Sequence, residues 1–234
     1  MSHFIAELLG TMILIILGNG VVAAVCLNKT KAQGGGWLLI TIAWGIAVAI
    51  PAWIFGGISG AHFNPALTIA LASIGKFPWE EVPLYIIAQL LGAFLGAVIV
   101  WIQYLPHWAE TEDKSIKLGV FCTAPAIKNT GANFISEFIA TFILVFGILG
   151  LGTVNMAPGL GTLGVGLLIL VIGTSLGATT GYAINPARDL GPRIAHAILP
   201  IAGKGDSDWG YSWIPVVAPI LGGISAALLF NVVF

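Results

Sequence analysis

The sequence predicts an all-α membrane protein with six transmembrane helices and two re-entrant half-helices, arranged as an inverted repeat. Three observations predict this fold class: the composition, the number of long apolar segments, and a tripeptide present in both halves. Only 8% of the residues are charged, 58% are hydrophobic, and the mean hydropathy is +0.99. A soluble domain carries about 25% charged residues, so most of this chain must face lipid. The net charge of −1 gives no basic surface for nucleic acid.

Six apolar segments are long enough to cross a bilayer, which requires about 20 mostly apolar residues in a helix. Backbone polar groups in lipid must be satisfied within the segment itself, which favours helices. The first segment lacks the positively charged leader of a signal peptide and contains Glu7, so we expect it to remain as a helix. The predicted spans are 4–26, 37–57, 82–104, 132–151, 161–179 and 211–233.

Two further apolar stretches, 63–74 and 184–199, are too short to span a bilayer. Each carries an Asn-Pro-Ala tripeptide at or near its start, which indicates a half-helix that enters the membrane and stops there. A single Asn-Pro would indicate only a turn, but two copies at matching places indicate a shared structural role. The tripeptides are Asn64, Pro65, Ala66 and Asn185, Pro186, Ala187.

The two halves of the chain resemble each other. Residues 6–17 read AELLGTMILIIL and residues 136–147 read SEFIATFILVFG, which aligns Glu7 with Glu137. Each half holds three predicted spans and one half-helix, and an odd number of crossings places the second copy upside down in the membrane. We predict one domain over 1–234, with repeat 1 at 1–105, repeat 2 at 131–234, and a polar, solvated connector at 106–130.

The two asparagines are expected to cap the half-helices, because asparagine is a favoured N-cap and proline is favoured at the first helical position. When the side-chain oxygen accepts from a backbone N–H, the amide points away from the helix and can donate to a passing oxygen. The inverted repeat would bring Asn64 and Asn185 together near the bilayer centre. Both half-helices would also aim their positive ends there, which opposes cations and protons.

The strings SGAHFNPALT (59–68) and GYAINPARDLGPR (181–193) closely resemble the aquaporin, or major intrinsic protein, family. The resemblance covers nearly the whole chain and implies an hourglass pore in each subunit of a homotetramer, without a cofactor. It implies that carbonyls before each tripeptide line the pore and that buried acids support the loops, although an ion relay is an alternative for the two glutamates. The implied carbonyls are those of Gly60, Ala61, His62, Phe63, Gly181, Tyr182, Ala183 and Ile184, and the implied supports are Glu7, Glu137 and Asp189.

The resemblance also places the narrowest ring of the pore at four positions and implies the glycerol-conducting subgroup. That subgroup carries a bulky aromatic where water-selective members have histidine, a glycine in the ring, and aspartate directly after the ring arginine. An apolar corner would hold the carbon backbone, the glycine would leave room, and the arginine would donate to hydroxyl oxygens opposite that corner. The implied ring is Trp44, Gly173, Tyr182 and Arg188.

These features predict a passive membrane channel for glycerol, other small uncharged solutes and water, which excludes ions and protons. Tyr182 stands where well-known bacterial glycerol facilitators have phenylalanine, which leaves dihydroxyacetone, urea, hydrogen peroxide and undissociated lactic acid open as solutes. The alternatives are a water-selective channel and a coupled transporter, for which only Glu7, Glu137 and Asp189 are candidate acids. No nucleophile–base pair, metal cluster or phosphate loop predicts an enzyme.

The resemblance implies a bacterial inner-membrane location with both termini in the cytoplasm. The distribution of basic residues opposes this orientation, because Lys76 would be the only lysine or arginine in a cytoplasmic loop. The specific motifs outweigh that general tendency. The basic residues on the outer side would be Lys29, Lys31, Lys114, Lys117, Lys128, Lys204, Arg188 and Arg193.

Overall fold

The computed structural model describes residues 1–234, and its regular secondary structure is entirely helical. A 3-10 turn at Trp79–Glu81 precedes the fourth α-helix. The α-helices are α1 His3–Cys26, α2 Gly36–Ser59, α3 Pro65–Ser73, α4 Val82–Gln103, α5 His107–Glu110, α6 Lys114–Phe121, α7 Thr130–Leu151, α8 Leu160–Ser175, α9 Pro186–Ile198 and α10 Ile214–Val233.

Five helices, α1, α2, α4, α7 and α10, are long and apolar enough to cross a membrane. The sixth predicted span corresponds to α8, which has only 16 residues, a length of about 24 Å. It begins directly after Gly159, which adopts a φ of +83°. It ends at Ser175, where the chain turns into residues 176–185, the second re-entrant loop, which leads to α9. The predicted range 161–179 is therefore wrong at its C-terminal end.

The two half-helices begin where the tripeptides predict. Helix α3 has 9 residues and starts at Pro65, and α9 has 13 residues and starts at Pro186. Each is preceded by its asparagine in an extended conformation, the backbone geometry of an N-cap. Neither helix is long enough to span a bilayer.

The two repeats pack in the same way and then interlock. Helix α1 packs against α2 and α4, and α7 packs against α8 and α10. Each half-helix contacts the last long helix of the opposite repeat, α3 on α10 and α9 on α4. The half-helices therefore lie at the centre of the bundle, where each repeat completes the other.

Close helix crossings in both repeats depend on glycine. A Cβ at Gly92 of α4 would lie 2.2 Å from the carbonyl oxygen of Leu8, and a Cβ at Gly222 of α10 would lie 2.4 Å from that of Phe138. Such backbone-to-backbone contact is typical of small residues at membrane helix interfaces. These contacts recur in both halves, where they allow α1 to approach α4 closely and α7 to approach α10 closely.

The connector 106–130 is exposed in part, but it is more ordered than a solvated linker. It contains α5 and α6, and the side chains of Trp108, Val120 and Phe121 are buried. Most of its charged side chains are exposed, but Lys117 is buried with these apolar side chains. The connector therefore forms part of the fold on the face that carries α9.

The outer surface of the bundle suits a lipid environment. Large apolar side chains such as Leu38, Ile46, Leu167 and Leu228 are exposed on the long helices and on α8. No polar solvent-facing stripe replaces them, as expected where hydrocarbon surrounds a helix. Exposed tryptophans near helix ends are typical of the membrane–water interface, and here they are Trp37, Trp53, Trp79, Trp209 and Trp213.

Candidate functional site: a lumen between two half-helices

The two asparagines lie side by side at the meeting point of the half-helices. The Asn64 oxygen accepts from the backbone N–H of Ala66 at 2.9 Å, and the Asn185 oxygen accepts from that of Ala187 at 3.0 Å. Each amide nitrogen then donates to the opposite loop, Asn64 to the Ile184 carbonyl at 2.8 Å and Asn185 to the Phe63 carbonyl at 2.7 Å.

The amides were expected to donate to a passing oxygen, but each also donates to the loop of the other repeat. One N–H of each amide is occupied by the other repeat, which leaves the second N–H for the lumen. The carbonyls of Phe63 and Ile184, implied to line the pore, are also the acceptors that join the two loops. The pair of asparagines is therefore both a cross-link and a pair of donors.

The two re-entrant loops share an unusual backbone conformation. Ala61 and Phe63 have φ values of +52° and +49°, and Tyr182 and Ile184 have values of +37° and +43°. Left-handed conformations are uncommon for residues other than glycine and are costly for bulky ones. The same strained pattern at matching positions of both loops needs support from the surrounding structure.

The repeat glutamates supply that support. Glu7 accepts from the backbone N–H groups of His62 at 3.0 Å and Phe63 at 2.7 Å. Glu137 accepts from those of Ala183 at 3.0 Å and Ile184 at 2.9 Å. Both carboxylates are fully buried, and neither lines the lumen. Each therefore holds a strained loop from behind.

Glu7 makes two further hydrogen bonds that connect it to neighbouring helices. It accepts from the Ser59 hydroxyl at 2.7 Å and from the Gln89 amide at 2.8 Å. The carboxylate thus has four donors around it. A buried carboxylate requires such partners, because an unpaired charge in the interior is very costly.

A continuous cavity of about 430 Å³ lies between the repeats. Polar groups from both loops contribute to its wall, including Asn64, Asn185 and Arg188. Of the predicted ring and loop residues, all but Gly173 and Gly181 line it, and of the two tripeptides only the asparagines do. Sequence reasoning predicted apolar side chains in the wall but did not identify those contributed by the helices, such as Leu14, Val48, Leu67, Leu144, Ile148 and Ile169.

The ring arginine lies against the ring tryptophan. The guanidinium carbon of Arg188 is 4.3 Å from the centroid of a Trp44 ring, the geometry of a cation–π contact. The arginine was expected on the side opposite the aromatic corner, so this placement differs from the prediction. Its Nη1 donates to the Phe121 carbonyl at 3.3 Å and to the Asn19 side chain at 3.4 Å.

Asn19 is a site residue that sequence reasoning missed. It is fully buried in α1 and donates to the same Phe121 carbonyl at 3.0 Å. The Phe121 carbonyl oxygen of the connector therefore accepts from both Asn19 of α1 and Arg188 of α9, and it joins these three segments. A lone amide in an apolar span was the available signal, because buried polar groups in membranes need partners.

Gly173 makes room for a protein side chain. A Cβ at Gly173 would lie 2.9 Å from Tyr182 Cζ, and a Cβ at Gly177 would lie 2.3 Å from Tyr182 Cδ1. The tyrosine ring thus fills the space that the sequence suggested was left for solute. Trp37 covers this pair from outside, with its ring edge-on to Tyr182 and its Nε1 donating to the Gly173 carbonyl at 3.0 Å.

Asp189 joins α9 to the connector and to the segment after α9. Its carboxylate accepts from the backbone N–H of Thr123 at 2.8 Å and from Arg193 Nε at 2.8 Å. Arg193 also donates to the carbonyls of Ser207 at 2.6 Å and Thr123 at 2.8 Å. Both charged side chains are fully buried. Sequence reasoning counted Arg193 only among the basic residues of the outer side and did not pair it with Asp189, although an Asp–Arg spacing of four residues on a helix was visible.

Several basic residues of the connector and the α9 loop are also bound to the fold. Lys204 donates to the carbonyls of His196, Ala197 and Leu199, each at 2.7 Å, at the C-terminal end of α9. Lys117 donates to the Ala202 carbonyl. These charges serve local structure, so they weigh less in a topology argument based on free loop charges.

Comparisons with known proteins agree with this architecture. The family model of the major intrinsic protein matches residues 1–230. A probable glycerol uptake facilitator protein from Thermotoga maritima is 59% identical over all of both chains. The glycerol uptake facilitator protein of Bacillus subtilis is 58% identical over all of this chain and 85% of its own length.

A solved structure is similar over nearly the whole chain. The aquaglyceroporin from Plasmodium falciparum superimposes with a TM-score of 0.88 at 34% sequence identity, covering 98% of this chain and 94% of that one. The family match spans both repeats, and the structural match includes the half-helices that form the lumen. This chain belongs to the major intrinsic protein family.

Proposed function

We propose that this protein is a passive membrane channel for glycerol and other small uncharged solutes, and also for water. The observation that carries this proposal is the mixed wall of the lumen, which combines the polar side chains of Asn64, Asn185 and Arg188 with mainly apolar residues. Relatives named glycerol uptake facilitators match the whole chain. A polyol can keep its hydroxyl groups hydrogen-bonded to the polar groups while its carbon chain contacts the apolar residues.

The polar groups of the lumen can both donate hydrogen bonds to solute hydroxyl groups and accept hydrogen bonds from them. The second N–H of Asn64 and of Asn185 can donate to a solute oxygen, and loop carbonyls can accept hydrogen bonds from solute hydroxyl groups. Arg188 carries five N–H donors, and only Nη1 has protein acceptors. A neutral solute therefore exchanges its water partners for protein partners at little cost.

Cations and protons are expected to be excluded. Two half-helix N-termini and the Arg188 guanidinium place positive charge along one narrow path. Opposed half-helix dipoles are already an accepted barrier in aquaporin-type pores. The wall supplies no carboxylate to compensate a cation, because Glu7 and Glu137 are turned away from the lumen.

Glu7, Glu137 and Asp189 serve as structural supports in this proposal. Each is fully buried with protein donors, which argues against a relay that exchanges ions with the lumen. A coupled transporter would need an acid that reaches the solute path. The channel is therefore expected to conduct in both directions without an ion gradient.

Stopped-flow light scattering of reconstituted vesicles tests this proposal. Vesicles with the protein should take up glycerol faster than protein-free vesicles, without saturation and without dependence on a sodium or proton gradient. Parallel gradients of water, urea, dihydroxyacetone and lactic acid at low pH would define the solute range. Glycerol uptake equal to that of protein-free vesicles would refute the proposal, and gradient-dependent uptake would favour a transporter.

We also propose a homotetramer in the bacterial plasma membrane with both termini in the cytoplasm. The apolar surface of the bundle and the family support membrane assembly. The basic residues near α9 that oppose this orientation are hydrogen-bonded within folded loops. Thiol labelling of a Glu112→Cys variant in intact cells tests orientation, and native mass spectrometry tests the tetramer. Labelling only after permeabilisation would show that the connector faces the cytoplasm, which is the opposite of the proposed topology.

A further inference from the structure

The ring tryptophan rests against one glycine of α1. A Cβ built at Gly18 would lie 2.4 Å from both Trp44 Cη2 and Cζ3, and 2.6 Å from Trp44 Cζ2. These three atoms form the outer edge of the indole. The three nearest neighbours of that Cβ therefore all belong to a single side chain, and that side chain lines the lumen.

Gly10 makes similar room for the Phe63 ring, but Gly45 and Gly92 behave differently. A Cβ at Gly45 would meet the backbone oxygen of Gly166 at 2.6 Å, and a Cβ at Gly92 would meet that of Leu8 at 2.2 Å. Those glycines allow two helix backbones to approach each other. Gly18 instead provides a recess for one aromatic ring.

The Arg188 guanidinium covers one face of the same indole. The Arg188 guanidinium carbon lies 4.3 Å from the Trp44 ring centroid. Arg188 is itself held by Asn19, the residue that follows Gly18 in α1. A methyl group at position 18 would therefore displace a rigid ring that lines the lumen and contacts Arg188.

We infer that Gly18 is a positioning residue that sets the width of the solute path at the Trp44–Arg188 pair, and thereby the preference for glycerol over water. This inference rests on the proposed channel function. Water is smaller than glycerol, so a modest inward shift of the indole should obstruct glycerol much more than water. The effect belongs to the contact with Trp44 and should vanish when the outer edge of the indole is removed.

The test uses four variants reconstituted in vesicles at equal protein density, with glycerol and water permeability measured by stopped-flow light scattering. Gly18→Ala should lower glycerol permeability about tenfold, the scale at which one methyl group alters discrimination in a tight site, and should lower water permeability much less. Gly20→Ala is the matched control, because a Cβ there meets nothing within 4 Å. It should leave both permeabilities unchanged.

The remaining variants are Trp44→Phe and the double variant Gly18→Ala with Trp44→Phe. Phenylalanine lacks the outer edge of the indole, so adding Gly18→Ala to this background should have no effect on either permeability. If Gly18→Ala alone does not reconstitute while the double variant does, the clash with the indole is still demonstrated. Comparison of Trp44→Phe with the double variant thus tests the contact between position 18 and the indole even if Gly18→Ala alone is unstable.

Three results would overturn the inference: unchanged permeability in Gly18→Ala, an equal proportional loss of glycerol and water, or the same loss or failure to reconstitute in the Trp44→Phe background. Unchanged or equal losses would mean that Gly18 serves only general packing. Failure of the channel function itself is distinguishable, because the unmodified protein would then give no glycerol uptake above protein-free vesicles.

Discussion

At the scale of single residues, the site depends on partners that are distant in sequence. The Tyr182 ring occupies the space beside Gly173 and Gly177, but its buried hydroxyl has no hydrogen-bond partner. A buried polar group without a partner costs about 1–3 kcal/mol. The family resemblance marked Tyr182 as a ring residue, but only the packing around it reveals this unfavourable hydroxyl.

Tyr182→Phe should therefore stabilise the protein by about 1 kcal/mol, since it removes an unpaired hydroxyl and keeps the ring. The matched control is Tyr85→Phe, because the Tyr85 hydroxyl donates to the Ser59 carbonyl at 2.8 Å. That change should destabilise the protein by about 1 kcal/mol. Thermal unfolding of the purified proteins in detergent measures both shifts. A lower melting temperature for Tyr182→Phe would contradict the prediction.

At the scale of elements, the half-helix α9 is anchored by one buried ion pair. Arg193 and Asp189 are four residues apart on α9, and their contacts reach Thr123 in the connector and Ser207 beyond the helix. A buried pair is not necessarily a net source of stability, but removing one partner leaves an uncompensated charge. This arrangement connects three chain segments on the α9 face of the bundle.

Arg193→Met should destabilise the protein by about 3–5 kcal/mol, because Asp189 would remain buried without its cation. The connector should also become more sensitive to protease, since the Arg193 bond to the Thr123 carbonyl is lost. Lys29→Met is the control, because the ion pair of Lys29 with Glu110 is exposed and such pairs contribute little. Thermal unfolding and limited proteolysis report the two effects. Equal behaviour of both variants would show that the buried pair has no special role.

At the scale of the whole molecule, the two repeats are joined at the centre by reciprocal hydrogen bonds. Asn64 and Ile184 are 120 positions apart, and Asn185 and Phe63 are 122 apart. The half-helices also pack on the long helices of the opposite repeat. Neither repeat can therefore form the lumen without the other.

Asn185→Asp should retain the cap on α9, because aspartate is also a favoured N-cap, but it removes the donor to Phe63. Loss of that buried bond should cost about 1–3 kcal/mol. The new negative charge should also weaken the cation barrier where the half-helix dipoles meet. A vesicle assay with a pH-sensitive dye should then report faster proton entry, together with slower glycerol uptake.

The control for this prediction is Asn129→Asp. Asn129 caps α7 through the N–H of Ala132 but lies on the exposed end of that helix. The same chemical change there should leave glycerol uptake and proton entry as in the unmodified protein. If Asn185→Asp also left glycerol uptake and proton entry unchanged, the asparagine pair would not control the passage of solutes and protons through the lumen.

The local features of this protein were readable from its sequence. The long apolar helices, the starts of α3 and α9, and the alignment of Glu7 with Glu137 follow from apolar length, cap chemistry and repetition. These signals involve residues close together in the chain. The ends of the predicted spans were less accurate. Helix α8, for example, ends where the second re-entrant loop begins and not where the hydrophobicity changes.

The sequence by itself determined the membrane environment, the inverted repeat and the two capped half-helices, because helix formation in lipid and capping are local. The tertiary structure decided that each asparagine donates to the other repeat and that Tyr182 fills the space beside Gly173. It also decided that Gly18 lies against Trp44 and that Asn19 binds Arg188. These contacts join positions on different elements, and only the packing of the two repeats determines which side chains meet.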